Sequence, residues 1–416
     1  MQQAKRIIYF IFYWILFSGL INRYLFANLL IPLLPDVLLL YLLFARNSCF
    51  RVRTTNMFFG PWPQRLLIAF VFIGLLAALL NTIPPITVIW GVRQIVRYFL
   101  LLVVVVNTFN RQDVKKVHKW LYKAFYVNTA ACVFQFFQGI TGDPMGGMFG
   151  GNGELALFIV ITIIVFTFDC FQNRLSSYKL FAIVVVNFVI AMWAEVKFLY
   201  FLIPLVFYAS YVLIKKFSMK HFIVLALAFV AGIPVMQFAL STYYDDEYVQ
   251  FATNREQLSK YNEGEYGFTE ISMNRGTCIA LTNEVILQDP IHTAIGYGIG
   301  SGTNSRTFRC FVNLKYMFTF YNYFTSSYVL VETGWIGYIL FILFYTMLLL
   351  PFYKIYRKTK DKDIKYWSAF GVLMGVFTYT FMWYNALPYV SYYITFFLWG
   401  ICIIAINAHN QTFSKK

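Results

Sequence analysis

The stretch 86–107, ITVIWGVRQIVRYFLLLVVVVN, is 22 residues long and carries only two charges, Arg93 and Arg97. Its length matches the roughly 20 residues an α-helix needs to cross a ~30 Å hydrocarbon layer. The arginines stand four apart, so a helix puts them on one face, one turn from each other. An arginine at membrane depth costs roughly 3 kcal/mol or more unless water, a partner or an anion meets it. A span that holds two of them therefore points both to the fold and to the place where its chemistry is sought.

Working outward, the same apolar pattern recurs along the chain. The 416 residues are 60% hydrophobic, 21% aromatic and 12% charged, with a mean hydropathy of +0.63. A soluble domain carries about twice that charged fraction. Apolar runs of spanning length fall at 7–22, 24–45, 65–82, 86–107, 119–138, 154–171, 178–194, 197–214, 221–240, 325–350, 366–383 and 386–407. They predict an all-α polytopic membrane protein of about 12 transmembrane helices. The first run lacks a small-residue cleavage site and reads as a retained span. No repeat or low-complexity tract divides the chain, so 1–416 reads as a single transmembrane domain.

The net charge of +16 would suggest nucleic acid in a soluble protein. Here the cations gather in alternate short loops, RNSCFRVR, NRQDVKKVHK, QNRLSSYK, KKFSMK and YKIYRKTKDKDIK. That is the positive-inside pattern, so no nucleic-acid partner is expected and both termini are placed in the cytoplasm. On this topology Arg93 and Arg97 lie in the outer half of the fourth span. The glycine-rich loop 139–158, GITGDPMGGMFGGNGELALF, is external and reads as flexible, with Asn152 and Glu154 capping the sixth span. MWAEVKFLYF forms a tight external hairpin bearing Glu195 and Lys197.

A large external loop, 241–324, separates helices 9 and 10 and holds nine of the eighteen carboxylates, Asp245 to Asp289. Its size argues for a functional cap rather than a plain connection. Within it, RGTCIALTNEVILQDP (275–290) has helical apolar spacing and a stop at Pro290, as expected of a helix lying along the surface. GYGIGSG (296–302) follows no strand and reads as a hinge or backbone turn, not a dinucleotide loop. Cys278 and Cys310 share this loop, but their spacing does not decide whether they pair, and no Cys/His spacing suggests a metal.

Cations at membrane depth beneath a cap suit a phosphate ligand, because guanidinium forks match phosphate oxygens and gain strength away from water. A lipid pyrophosphate has the required charge and position. The competing structural reading pairs Arg93 and Arg97 with Glu154, Glu195 or Glu332. Asp36, beside Pro35 in the second run, has no role legible in the sequence.

SMNRGTCIALTNEVILQDPIHTAIGYGIGSGTNS (272–305) resembles the arginine, short helix and glycine turn of the Wzy-type O-antigen polymerase and O-antigen ligase superfamily. YFTSSYVLVETGWIGYILF (323–341) resembles the span that follows there. GGNGELALFIV and AEVKFLYFL fall in the family's order, so the resemblance covers roughly residues 90–345. Two positions depart from it. Tyr323 stands where the ligases carry a histidine, which favours a polymerase, and Ile299 replaces a proline of the turn.

The resemblance implies a GT-C-like fold in a bacterial cytoplasmic membrane, with the active site facing outward. It implies a polymerase that joins oligosaccharide repeat units linked to undecaprenyl pyrophosphate into O-antigen, capsule or exopolysaccharide, without metal or other cofactor. The alternatives are an O-antigen ligase-type transferase and, as a different class, a lipid-oligosaccharide flippase or transporter. A transporter should show two related halves, and this chain shows none. A chain-length regulator and a flippase are the implied protein partners. Arg93, Arg97, Lys197, Arg275 and Arg306 are the pyrophosphate candidates. Glu195 is the first candidate for general base and Glu332 the second, while Asn152, His292 and Tyr323 are candidate sugar contacts, with Tyr243, Tyr244 and Tyr297 as further stacking surfaces.

Overall fold

The computed structural model describes residues 2–25, 33–44, 59–215, 219–220, 223, 272–303 and 308–413, with side chains described through 408. The ninth apolar run apart from Ile223, most of the cap with Tyr243 and Tyr244, and Arg306 lie outside the described residues. The described chain is all-helical. Its principal helices are α1 (Gln2–Leu20), α2 (Leu34–Phe44), α3 (Trp62–Leu80), α4 (Pro85–Thr108), α5 (Arg111–Phe137), α6 (Asn152–Phe171), α7 (Ser177–Trp193) and α8 (Lys197–Lys215). Three short helices follow: α9 (Cys278–Leu281), α10 (Pro290–Ile295) and α11 (Phe311–Tyr316). Then come α12 (Thr325–Lys358), α13 (Lys362–Tyr384), α14 (Leu387–Val390) and α15 (Tyr393–Phe413).

Six helices among the described residues are long and apolar enough to cross a membrane: Gln2–Leu25, α3, α4, α6, α8 and α12. α2, α7 and part of α15 are shorter apolar helices. The chain is a membrane-embedded helical protein.

Short turns make consecutive helices antiparallel and define two ends of the bundle. The upper end carries the starts of α4, α6, α8 and α12; the lower end carries the starts of α1, α3, α5, α7 and α13. At the lower end polar residues start the helices. Asn110 and Asp113 form a reciprocal capping box on α5, Asp361 caps α13, and Ser176 caps α7. α6 forms the axis: every residue from Leu155 to Cys170 is buried, as expected of a helix that is apolar all round. It packs on α8 and α7, α12 packs on α13 and α3, and α15 packs on α4.

The upper end is locked by a buried turn. Gly334, at φ +60° and ψ −167°, breaks the helical path of α12. The break frees two carbonyls that a continuous helix would have used. Tyr297 and Gly298 donate their backbone N–H groups to those carbonyls, Val331 and Glu332, each at 2.9 Å. Ile299 N–H donates to the Gly74 carbonyl of α3 at 2.9 Å. The turn 296–302 is thus wedged between α3, α4 and α12. It is a fixed backbone turn, not a hinge.

Two further expectations are corrected here. Pro290 does not stop the surface helix. Helix α9 with its π-turn ends at Ile286, and Pro290 starts α10 behind Asp289, whose carboxylate accepts from the Ile291 and His292 N–H groups. The glycine-rich loop is not flexible either. Gln135 exchanges two 2.8 Å hydrogen bonds with the Gly147 backbone, and Asn128 accepts from Met148 N–H at 3.1 Å.

Gly298 sits at φ +110°, and a Cβ there would lie 2.2 Å from Ala78 Cα. Gly298→Ala is therefore expected to lower unfolding free energy by about 3 kcal/mol through backbone strain and overpacking. Gly139, at φ +72° with open space around it, should lose only roughly 1 kcal/mol in the same exchange. Unfolding of the two purified variants in one detergent measures the contrast.

Candidate functional site

Two polar centres lie at the upper end, on either side of the first turn of α6. The first is built on α4. Arg93 reaches Asp36 Oδ2 through Nε at 2.8 Å and Nη2 at 2.7 Å, and Arg97 Nη1 reaches the same oxygen at 3.3 Å. Tyr393 donates its hydroxyl to the other carboxylate oxygen. Arg97 Nη2 also donates to the Tyr98 hydroxyl at 2.7 Å and the Val390 carbonyl at 2.6 Å. Aromatic faces complete the cradle, with Arg93 at 4.1 Å from the Trp90 ring and Arg97 at 4.8 Å from both Tyr98 and Tyr393.

The partner of the two arginines is thus Asp36, not Glu154, Glu195 or Glu332. One carboxylate answers two cations, so the triad keeps a net positive charge. Arg97 holds part of that charge at the wall of a cavity of about 220 Å³, lined also by Trp14, Ser18, Glu154, Ser391 and Tyr393. Glu154 and Ser391 face the same cavity from α6 and from the turn before α15. The residue capping α6 is Gly151, without a side-chain cap, so neither Asn152 nor Glu154 caps the helix as expected.

The second centre joins the glycine-rich loop to the α7–α8 hairpin. Asn152 donates to Asp143 at 2.6 Å. The loop crosses at Gly142, where a Cβ would stand 3.2 Å from Glu195 Oε1. Glu195 turns the hairpin in left-handed backbone, φ +52°, an uncommon geometry of the kind that concentrates at working sites. Burial pushes its carboxyl above the usual range, against the opposing pull of Lys197, and Asp143 pushes it further up. Lys197 also feels Arg275. Arg275 donates Nε to the Tyr384 carbonyl at 3.2 Å, with its guanidinium 4.5 Å from that ring. This centre therefore gathers Asn152, the Glu195–Lys197 hairpin and Arg275 from three distant parts of the sequence.

The remaining candidates lie elsewhere. Glu332 is fully buried, and its Oε1 accepts from Gly300 and Gly302 N–H at 3.0 and 3.1 Å while Tyr389 donates to Oε2. It anchors the glycine turn. His292 engages the Asp289 carboxylate through Nδ1 and Asn81 Oδ1 through Nε2 at 2.8 Å, and its ring stacks on Tyr297 at 3.9 Å. It ties α10 to the end of α3. Tyr323 is exposed and rests against Phe320. Cys278 and Cys310 are free thiols. Among the described residues no group of three or more His, Cys, Asp or Glu is placed to hold a metal.

Sequence reasoning missed Asp36, Tyr393 and Ser391 as members of the first centre. The available signal was charge balance: a span with two arginines calls for a carboxylate in another span, and Asp36 lies in the middle of the second apolar run. No protein-family model and no curated protein sequence matches this chain.

Removing one member of a buried ion pair leaves a buried charge and costs roughly 3 kcal/mol. Asp36→Asn is expected to lose about that much. In the Arg93→Met background the same change should cost at least about 1 kcal/mol less, because the triad has already lost a cation. A double-mutant cycle in unfolding free energy checks this; additive losses would contradict the coupling.

Proposed function

We propose that this protein is a membrane glycan polymerase of the Wzy type, acting at the upper end of the bundle. Its substrates are oligosaccharide repeat units on an undecaprenyl pyrophosphate carrier, and the upper end faces outward from a bacterial cytoplasmic membrane. On this reading the scaffold completes about 12 transmembrane helices in a GT-C-like arrangement; what supports it is the six long apolar helices among the described residues. The observation that carries this reading is Arg97: its guanidinium is oriented by Asp36 Oδ2 at 3.3 Å and the Val390 carbonyl at 2.6 Å, at the wall of the upper cavity. A cation fixed beforehand in a poorly hydrated wall stabilises charge developing on a leaving group without reorganising during the reaction.

In the proposed reaction the acceptor's terminal sugar hydroxyl attacks the anomeric carbon of the donor. A glycosidic C–O bond forms, the bond from that carbon to the pyrophosphate oxygen breaks, and lipid pyrophosphate leaves. The hydroxyl proton passes to the Glu195 carboxylate. Arg97, with Arg93 behind it, meets the departing pyrophosphate from the first centre. Lys197 and Arg275 add positive potential from the second, where Asn152 is positioned toward sugar hydroxyls. Glu332 acts indirectly, by holding the turn 296–302 against α3 and α4.

In nanodiscs supplied with lipid-linked repeat units, Arg97→Gln is expected to slow chain extension by roughly 100-fold, the size typical of losing one preorganised transition-state contact. Unchanged extension in a folded Arg97→Gln protein would rule out the pyrophosphate role.

Glu195 supplies the pH test. A base works when ionised, and burial raises this carboxyl, so turnover should fall as pH drops through a value above the ordinary glutamate range. Glu195→Gln should lower turnover and abolish that acid limb. A limb that persists in the variant would assign the base elsewhere.

A further inference from the structure

At the lower end, away from both polar centres, a groove of about 450 Å³ opens between α1 and α5. It is lined by Arg6, Tyr9, Phe10, Tyr13, Lys116 and Trp120. The floor is aromatic: the Tyr13 and Trp120 rings meet edge to face at 4.7 Å, and Tyr9 stacks on Tyr13 at 6.3 Å. One carboxylate lies close by, Asp113, and it is already neutralised. Lys5 Nζ meets its Oδ2 at 2.6 Å, and the Tyr9 hydroxyl donates to Oδ1 at 2.8 Å.

The rim is different. Arg6 and Lys116 are both exposed, and neither makes an ion pair among the described residues. Lys123 adds a further cation, with Nζ 4.9 Å from the centre of the Trp120 ring. Such a groove pairs an apolar, aromatic bed with an unanswered positive rim at the level of the helix ends. Those are the two halves of an amphiphile's binding site, with tails on the aromatic bed and an anion at the rim.

We propose that the α1–α5 groove binds an anionic phospholipid, with its glycerophosphate group between Arg6 and Lys116 and an acyl chain along Tyr9, Phe10, Tyr13 and Trp120. The end concerned is the one where the sequence gathers its basic loops, and so the one expected to meet the anionic leaflet. The Lys5–Asp113 pair keeps Asp113 from repelling the phosphate. Bound there, the lipid holds the first helix against the fifth, which otherwise meet mainly through these aromatic contacts and the ion pair. The site stands independently of what the upper end does.

The test is a titration of delipidated full-length protein in neutral detergent with dioleoyl-phosphatidylglycerol, read by native mass spectrometry. One basic side chain near an anionic surface is worth roughly fivefold in affinity, so Arg6→Gln with Lys116→Gln should weaken binding by roughly 30-fold. Dioleoyl-phosphatidylcholine, with the same tails and no net charge, should bind weakly and respond little to the two substitutions. Raising salt from 50 to 500 mM, which shortens the screening length to a few ångströms, should weaken phosphatidylglycerol binding in the unsubstituted protein. Equal phosphatidylglycerol binding by parent and variant, or equal binding of the two lipids by the parent, would overturn the proposal. So would sn-glycerol 3-phosphate binding as tightly as the lipid, since that would make the groove a site for free anions.

Discussion

The upper end of this molecule depends on one carboxylate. Asp36 accepts from Arg93 at 2.7 Å and from Arg97 at 3.3 Å, and from the hydroxyl of Tyr393. That single group fastens α2 to α4 and to the start of α15. Two guanidinium groups at membrane depth are costly without a partner, and one carboxylate answers only one of the two charges. The surplus is not dispersed into solvent. Arg97 is locked by Asp36, Tyr98 and the Val390 carbonyl, and its remaining face lines the 220 Å³ cavity. The proposed ligand affinity rests on the same imbalance that holds these helices together. The geometry shows the arginines in an ion pair with Asp36; the anion site is the proposal that rests on the charge left over.

Around that triad the backbone is fixed by close approaches that few side chains would allow. The break at Gly334 frees two carbonyls of α12, and the 296–302 turn uses them to seat itself against α3 and α4. Glu332 adds two further contacts to Gly300 and Gly302. The glycine-rich 139–151 loop is held from below by Asn128 and Gln135, seven residues apart and so on one face of α5. A rigid frame of this kind keeps charged side chains at set positions, which preorganised electrostatics requires.

Much of this was legible in the sequence, for physical reasons. Hydropathy and length mark helices strongly in apolar stretches, so the runs around 65–82, 86–107, 154–171, 197–214 and 325–350 each coincide with a long apolar helix. The outline of the second centre could also be read, because Glu195 and Lys197 share a hairpin too short to hide them. Long-range pairing was not legible. Asp36 and Arg93 are 57 residues apart, and Tyr393 lies 357 beyond Asp36. No local spacing encodes such contacts. Likewise, glycine-rich composition suggested flexible loops, but it cannot reveal the two amides in α5 that pin one of them or the helix break that receives the other.

The central claim is that the upper cavity beside Arg97 receives the pyrophosphate end of a polyprenyl carrier. A polyprenyl pyrophosphate bearing a photoreactive diazirine next to the phosphates tests it most directly, with the labelled residues mapped by peptide mass spectrometry in nanodiscs. The account predicts labelling of the cavity wall at Trp14, Ile15 and Ile394, competed by unlabelled carrier and lost with Arg97→Gln. Labelling confined to other faces of the bundle, or labelling of the wall that survives loss of Arg97, would contradict it.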